Sequence, residues 1–177
     1  MGQFSSCLSW LGMLAGAALF AGQAKRPPAE FSPASVRGRV AVFETINRKA
    51  TTTPVRDLQL YLFTAEAGKP FEELQRKCRR AMAQPKADPV ATYQLCERAL
   101  AEAFDLIPTL PATATARTDR EGSFHFDNLA SGRQYHVIGV KRDEAGSPVV
   151  IVAKTPRLLP GQKLTLELSE NEPWTGR

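Results

Sequence analysis

Thr118-Asp119-Arg120-Glu121-Gly122-Ser123-Phe124-His125-Phe126-Asp127-Asn128-Leu129-Ala130-Ser131-Gly132-Arg133-Gln134-Tyr135 holds two turn signals around one short apolar strand. Asp119 to Gly122 is an acidic turn whose glycine suits a position of positive φ. Phe124 and Phe126 stand two residues apart, so an extended backbone points both rings to one face. Ala130-Ser131-Gly132 is a second turn of small residues, after which Leu129 and Tyr135 can close the edge of a sandwich. Tyr135 reads as a packed corner residue. The stretch demands paired strands that bury these rings between two layers.

Outward from it the same grammar repeats. Val36 to Phe43, Leu58 to Phe63, Ala112 to Thr118, Gln134 to Val140, Val149 to Lys154 and Lys163 to Leu168 are further short β-rich runs. Turn signals at Asp143-Glu144-Ala145-Gly146 and Leu159-Pro160-Gly161 separate the later ones. Leu58, Leu60 and Leu62 alternate with Gln59 and Tyr61, the period of a strand with one buried face, and Phe63 implies cover on the other face too. Asn47 to Pro54, polar with three consecutive threonines, reads as a loop. Seven short strands at this spacing predict a mainly β, antiparallel seven-stranded sandwich; a parallel sheet would need helices between most strands.

One interval follows a different period. Phe71, Leu74, Cys78 and Ala81 with Met82 fall at helical spacing, as do Tyr93, Cys96, Leu100, Ala103 and Ile107. Asp88-Pro89 starts the second helix, with a capping side chain before a proline at the first helical position. Cys78 and Cys96 lie equally far from Ala87, the middle of the turn between the helices. At about 1.5 Å rise per residue both sulfurs sit roughly 10 Å from that turn, level with each other on the apolar stripes. A disulfide Cys78–Cys96 is expected, bracing a helical hairpin inserted at about residues 66–107. The competing reading, two free thiols for metal or redox chemistry, has only half a zinc site, no nearby histidine and no C-x-x-C spacing to lower a thiol pKa.

Composition sets the compartment. The chain has 177 residues, 43% hydrophobic and 23% charged, as befits one globular domain. Leu8 to Ala21 is an uncharged apolar run, too short to span a bilayer comfortably and of the right length for a signal-peptide core. Gly22 and Ala24 supply small residues before Lys25-Arg26-Pro27-Pro28, so residues 1–24 read as a signal peptide. Residues 25–35 read as a Pro-rich linker and 170–177 as a polar tail. Met1 to Ser6 carries no Lys or Arg and also fits N-myristoylation, with Cys7 as a palmitoylation site. Export is preferred because a lipid anchor does not need the apolar run. All 23 basic and 18 acidic residues follow Ala24, so the formal charge of +5 belongs to the mature chain. Removing Cys7 with the leader leaves two cysteines, consistent with one disulfide in a secreted or periplasmic protein.

The stretch from Thr118 to Tyr135 resembles the carboxypeptidase regulatory-like family, in which an acidic turn and Gly precede an aromatic strand, a Leu, a small-residue turn and a Tyr strand. Val36-Arg37-Gly38-Arg39-Val40 is similar to the family's opening strand, and Pro54-Val55 with Leu58 to Leu62 to its second. The resemblance covers residues 36–169 apart from the helical insert, which departs from the common pattern. It implies a transthyretin-like Greek key and an accessory, binding or spacer role without catalysis.

The residues agree with that role. His125 and His136 are the only histidines, each offset by one from apolar neighbours and so expected to face outward. No H-x-x-E motif, Gly-x-Ser-x-Gly elbow or phosphate-cradling Gly loop occurs. The related fold also hosts hydroxyisourate hydrolases, but Asn171 to Arg177 lacks their Tyr-Arg-Gly-Ser motif. No catalytic residue, metal ligand or cofactor is expected. The candidate binding surface is Arg76, Lys77, Arg79 and Arg80 on the first insert helix, with Glu72, Glu73 and Glu97 close by; an exposed face of mixed charge is the plainer reading of the same residues. A protein or carbohydrate partner fits this surface. Nucleic acid does not, without aromatic platforms near the cluster. A hydrolase with an unfamiliar site and a passive spacer remain the alternatives.

Overall fold

The structure, a computed structural model, describes residues 32–46, 49–84, 86, 88–142, 146 and 148–169. The expected signal peptide, most of the linker and the tail lie outside the described residues. Among the described residues the elements run β1 (Ala34–Ile46), β2 (Lys49–Pro54), β3 (Gln59–Thr64), α1 (Lys69–Met82), α2 (Pro89–Leu106), β4 (Ala114–Arg117), β5 (Ser123–Leu129), β6 (Tyr135–Arg142), β7 (Pro148–Lys154) and β8 (Lys163–Ser169). A single 3₁₀ turn, Ile107–Thr109, follows α2.

These strands form two four-stranded sheets. In the first, β1 pairs antiparallel with β5 and β2 and parallel with β8. The Val40 amide donates to the Gly122 carbonyl at 2.9 Å and the Val40 carbonyl accepts from the Val55 amide at 2.9 Å. One residue's N–H and C=O point to the same strand edge, so β2 takes over there from β5. The second sheet is antiparallel throughout, in the order β4-β3-β6-β7.

Three expectations need correcting. There are eight described strands, not seven, because the Thr-rich segment read as a loop is β2, whose β-branched residues pair with Phe43 and its neighbours. The sandwich is not wholly antiparallel, since β8 runs beside β1 in the same direction from Ser35↔Lys163 to Ala41↔Ser169. The linker also ends earlier than residue 35: β1 starts at Ala34, and the Ser32 carbonyl already accepts from the Gly161 amide at 3.1 Å.

The turn before β5 forms as its residue types require. Asp119 Oδ1 accepts from the Glu121 and Ser123 amides at 3.0 and 2.7 Å, and Gly122 takes φ +75°. A side chain at Gly122 would also meet the Val40 carbonyl oxygen, 2.4 Å from where its Cβ would stand. Phe124 and Phe126 are buried together, with centroids 5.8 Å apart at 62°. They join Val36, Val40, Leu60, Leu62, Tyr135, Val137 and Ile151 between the sheets. The Tyr135 hydroxyl donates to the Ala130 carbonyl at 3.2 Å, a corner role.

A second core lies on the opposite face of the second sheet. Phe63 and Ile138 pack there against Phe71, Leu74, Cys78, Cys96, Ala99 and Ala103 of the hairpin. The molecule is therefore three layers deep, and β3 and β6 are covered on both sides, as Phe63 implied. The Cys78–Cys96 disulfide joins the helices with Cα atoms 5.0 Å apart. Asp88 caps α2 by accepting from the Val90 amide at 2.9 Å, with Pro89 at the first position. No helix among the described residues is long and apolar enough to cross a membrane.

Candidate functional site: a basic groove between the hairpin and the sheet

α1 carries the four basic residues singled out by the sequence. All are exposed, and Arg76, Arg79 and Arg80 fall on the side of the helix away from Phe71, Leu74 and Cys78. Arg76, Arg79 and Arg80 stand at i, i+3 and i+4, so they share one face. That face forms one wall of a groove of about 550 Å³ whose other wall is the outer surface of β6 and β7, with His136, Val152 and Lys154. Lys77 is turned toward α2 and lines a separate concavity with Arg98 and Glu102. Lys77 also lines a third concavity beside Arg76 and Arg80, so the four basic residues stay neighbours but only three of them face the groove.

Glu72 closes one end of the groove. Its Oε1 accepts from Lys154 Nζ at 2.6 Å and lies 2.8 Å from His136 Nε2. The hydrogen bond from Lys154, then that from His136, holds the Glu72 carboxyl below its ordinary value of 4.5, against a smaller opposing effect of burial. An ionised carboxylate can only accept, so His136 Nε2 carries the hydrogen and donates it. His136 Nδ1 is buried without a hydrogen-bond partner among the described residues. It lies against Gly68, where an added Cβ would stand 2.1 Å from it. Gly68 is needed for this close approach and not for its backbone angle, since its φ is −83°.

The expectation for the histidines holds for His125, which is 79% exposed, and fails for His136, at 1%. His136 does point away from the inter-sheet core, as the alternation requires. That outer face is roofed by the start of α1, a tertiary fact that no local pattern carries. Lys154 went unnoticed for the same reason: it stands directly opposite His136 in the β6–β7 register.

Other contacts orient the walls. Arg79 donates to Gln75 Oε1 at 2.9 Å, which aims its guanidinium along the helix. Arg76 and Glu73 make an ion pair at 3.8 Å that is open to water on both sides and therefore weak. Near the far end of α2 the Arg142 guanidinium lies 4.7 Å from the Phe104 ring centroid, a second tie between hairpin and sheet. Among the described residues no three His, Cys, Asp or Glu side chains gather as a metal site requires.

No family model matches the chain. No curated protein matches it either. Among solved structures it is similar to the pilus backbone RrgB from Streptococcus pneumoniae, at 10% identity and a TM-score of 0.30 over 77% of this chain and 41% of that one. It is also similar to the shaft pilin SpaA from Lactobacillus rhamnosus GG, at 11% identity and a TM-score of 0.33 over 78% of this chain and 48% of that one. In both cases this chain spans less than half the length of the other. Likenesses this slight decide nothing about function.

Proposed function

We propose that this protein is a non-catalytic module of the carboxypeptidase regulatory-like kind, exported to the cell surface or periplasm, and that it acts through protein or carbohydrate contacts made by its helical hairpin. The observation that carries this reading is the convergence of Arg76, Arg79 and Arg80 with Lys154 on one groove at the seam between insert and sandwich. The sandwich supplies a rigid platform with its own core. The hairpin adds a second core and a disulfide and presents charge that folding itself does not consume. A surface of this kind suits an acidic partner, because opposite potentials steer encounter and fix orientation.

The test is retention of the purified, oxidised protein on immobilised poly-L-glutamate at low salt. Replacing Arg76, Lys77, Arg79 and Arg80 together by Gln should abolish retention and leave the melting temperature nearly unchanged, since exposed substitutions cost little stability. Equal retention of both proteins would remove the proposal.

A further inference from the structure

The groove's charge is not balanced by its own lining. Glu72, the one carboxylate among the described residues of its lining, is already spent on Lys154 and His136. Among the described residues, the three guanidiniums on one helical face make a single weak ion pair, Arg76 to Glu73. Like charges at these spacings oppose one another, and a bound anion would relieve that opposition. One carboxylate would neutralise a third of the excess; a phosphate ester carries close to two charges and three acceptor oxygens.

The geometry also favours an oxyanion of that shape. Guanidinium forks offer parallel pairs of N–H donors that match phosphate oxygens, and Arg79 is held in place by Gln75. On the opposite wall the Lys154 ammonium is fixed at the end of β7 by its 2.6 Å contact with Glu72. A ligand in the groove is thus met from two elements, helix and sheet, whose separation is set by the packed core beneath them. At about 550 Å³ the groove has room for more than a lone phosphate ion, so the anion can arrive attached to a carrier.

We infer that the groove between α1 and the β6–β7 face binds a dianionic phosphate group, gripped by Arg76, Arg79 and Arg80 from the helix and by Lys154 from the strand. This rests on the reading of the hairpin as a docking surface and names the chemistry it docks. Glu72 is a positioning residue here, since it acts through Lys154.

Calorimetric titration of the intact, oxidised protein with pyrophosphate, inorganic phosphate, long-chain polyphosphate and glutarate tests it. Expected is saturable binding of pyrophosphate at one site, at least tenfold tighter than glutarate. The Arg76→Gln/Arg79→Gln/Arg80→Gln variant should lose at least tenfold, Lys154→Gln several-fold, and Lys163→Gln, on the far sheet, nothing. Polyphosphate binding much tighter than pyrophosphate would assign the site to a polymer-borne phosphate, and equal affinities to a free one. Pyrophosphate binding no tighter than glutarate, or unchanged in both the triple variant and Lys154→Gln, would overturn the inference. If the quadruple Gln variant has lost its retention on poly-L-glutamate while pyrophosphate fails to bind, only the phosphate assignment falls. If retention is unchanged as well, the docking surface falls with it.

Discussion

Lys154 Nζ and His136 Nε2 converge on one oxygen of Glu72, and this small network is where single residues matter most. Each partner comes from a different element: Glu72 from α1, His136 from β6 and Lys154 from β7. The contact therefore ties the hairpin to the sheet. Because the folded state holds the Glu72 carboxyl below 4.5, the unfolded chain takes up its proton first as the pH falls. The stabilisation is complete above the unfolded value and disappears as the pH drops through the lower folded value. Scanning calorimetry should thus show Glu72→Gln melting below the wild type near neutrality, and the gap closing as the pH falls below the ordinary carboxyl value of 4.5. Parallel curves across that fall in pH would show that the carboxylate charge contributes nothing. The acidic turn of Asp119 to Gly122 shows the opposite balance of local and distant causes. There one carboxylate and one glycine suffice, and both were legible as residues.

At the scale of elements, the hairpin tests how far spacing alone reaches. Cysteine positions symmetric about a turn, on the apolar stripes of two helices, led to a pairing that the structure contains. The loop it closes has a sequence separation of 18, for which chain entropy gives a stabilisation of about 3 kcal/mol. Cys78→Ala/Cys96→Ala should accordingly lower the stability of α1 and α2 by about that amount. Hydrogen exchange would show faster amides in both helices, with β1 and β5 still protected. Loss of protection in both sheets at once would mean that hairpin and sandwich unfold as one unit. β2 marks where local reading failed. Lys49 to Pro54 lacks apolar alternation because it pairs with β1 at a sheet edge, where most of its residues stay exposed, so the signal that identifies buried strands is missing.

For the molecule as a whole, stability should be concentrated between the sheets. Phe126→Ala is expected to cost about 3–5 kcal/mol in urea unfolding, the range for deleting a buried aromatic ring. Val90→Ala, at a position 64% exposed, should change it by no more than about 0.5 kcal/mol. A small effect of Phe126→Ala would contradict the burial of that ring beside Phe124. The same three-layer build explains why the candidate site was half legible. Arg76, Arg79 and Arg80 sit on one helix and could be grouped from i, i+3, i+4 spacing. Lys154 and His136 are separated from them by more than fifty residues and meet them only because the hairpin folds back over the β6–β7 face.

The amino-acid pattern by itself determined the strand-rich character, the inward rings of Phe124 and Phe126, the turn glycine at 122, the cap at Asp88 and the cysteine pairing. The first four depend on near neighbours in the chain or on the period of a single element, and the pairing on two consecutive helices placed symmetrically about one turn. Tertiary structure alone decided the parallel placement of β8 against β1, the burial of His136 and the wall opposite the arginines. Each of those depends on which face of the sheet a distant element covers. A strand's alternation states that two faces differ; it does not state what lies against either one.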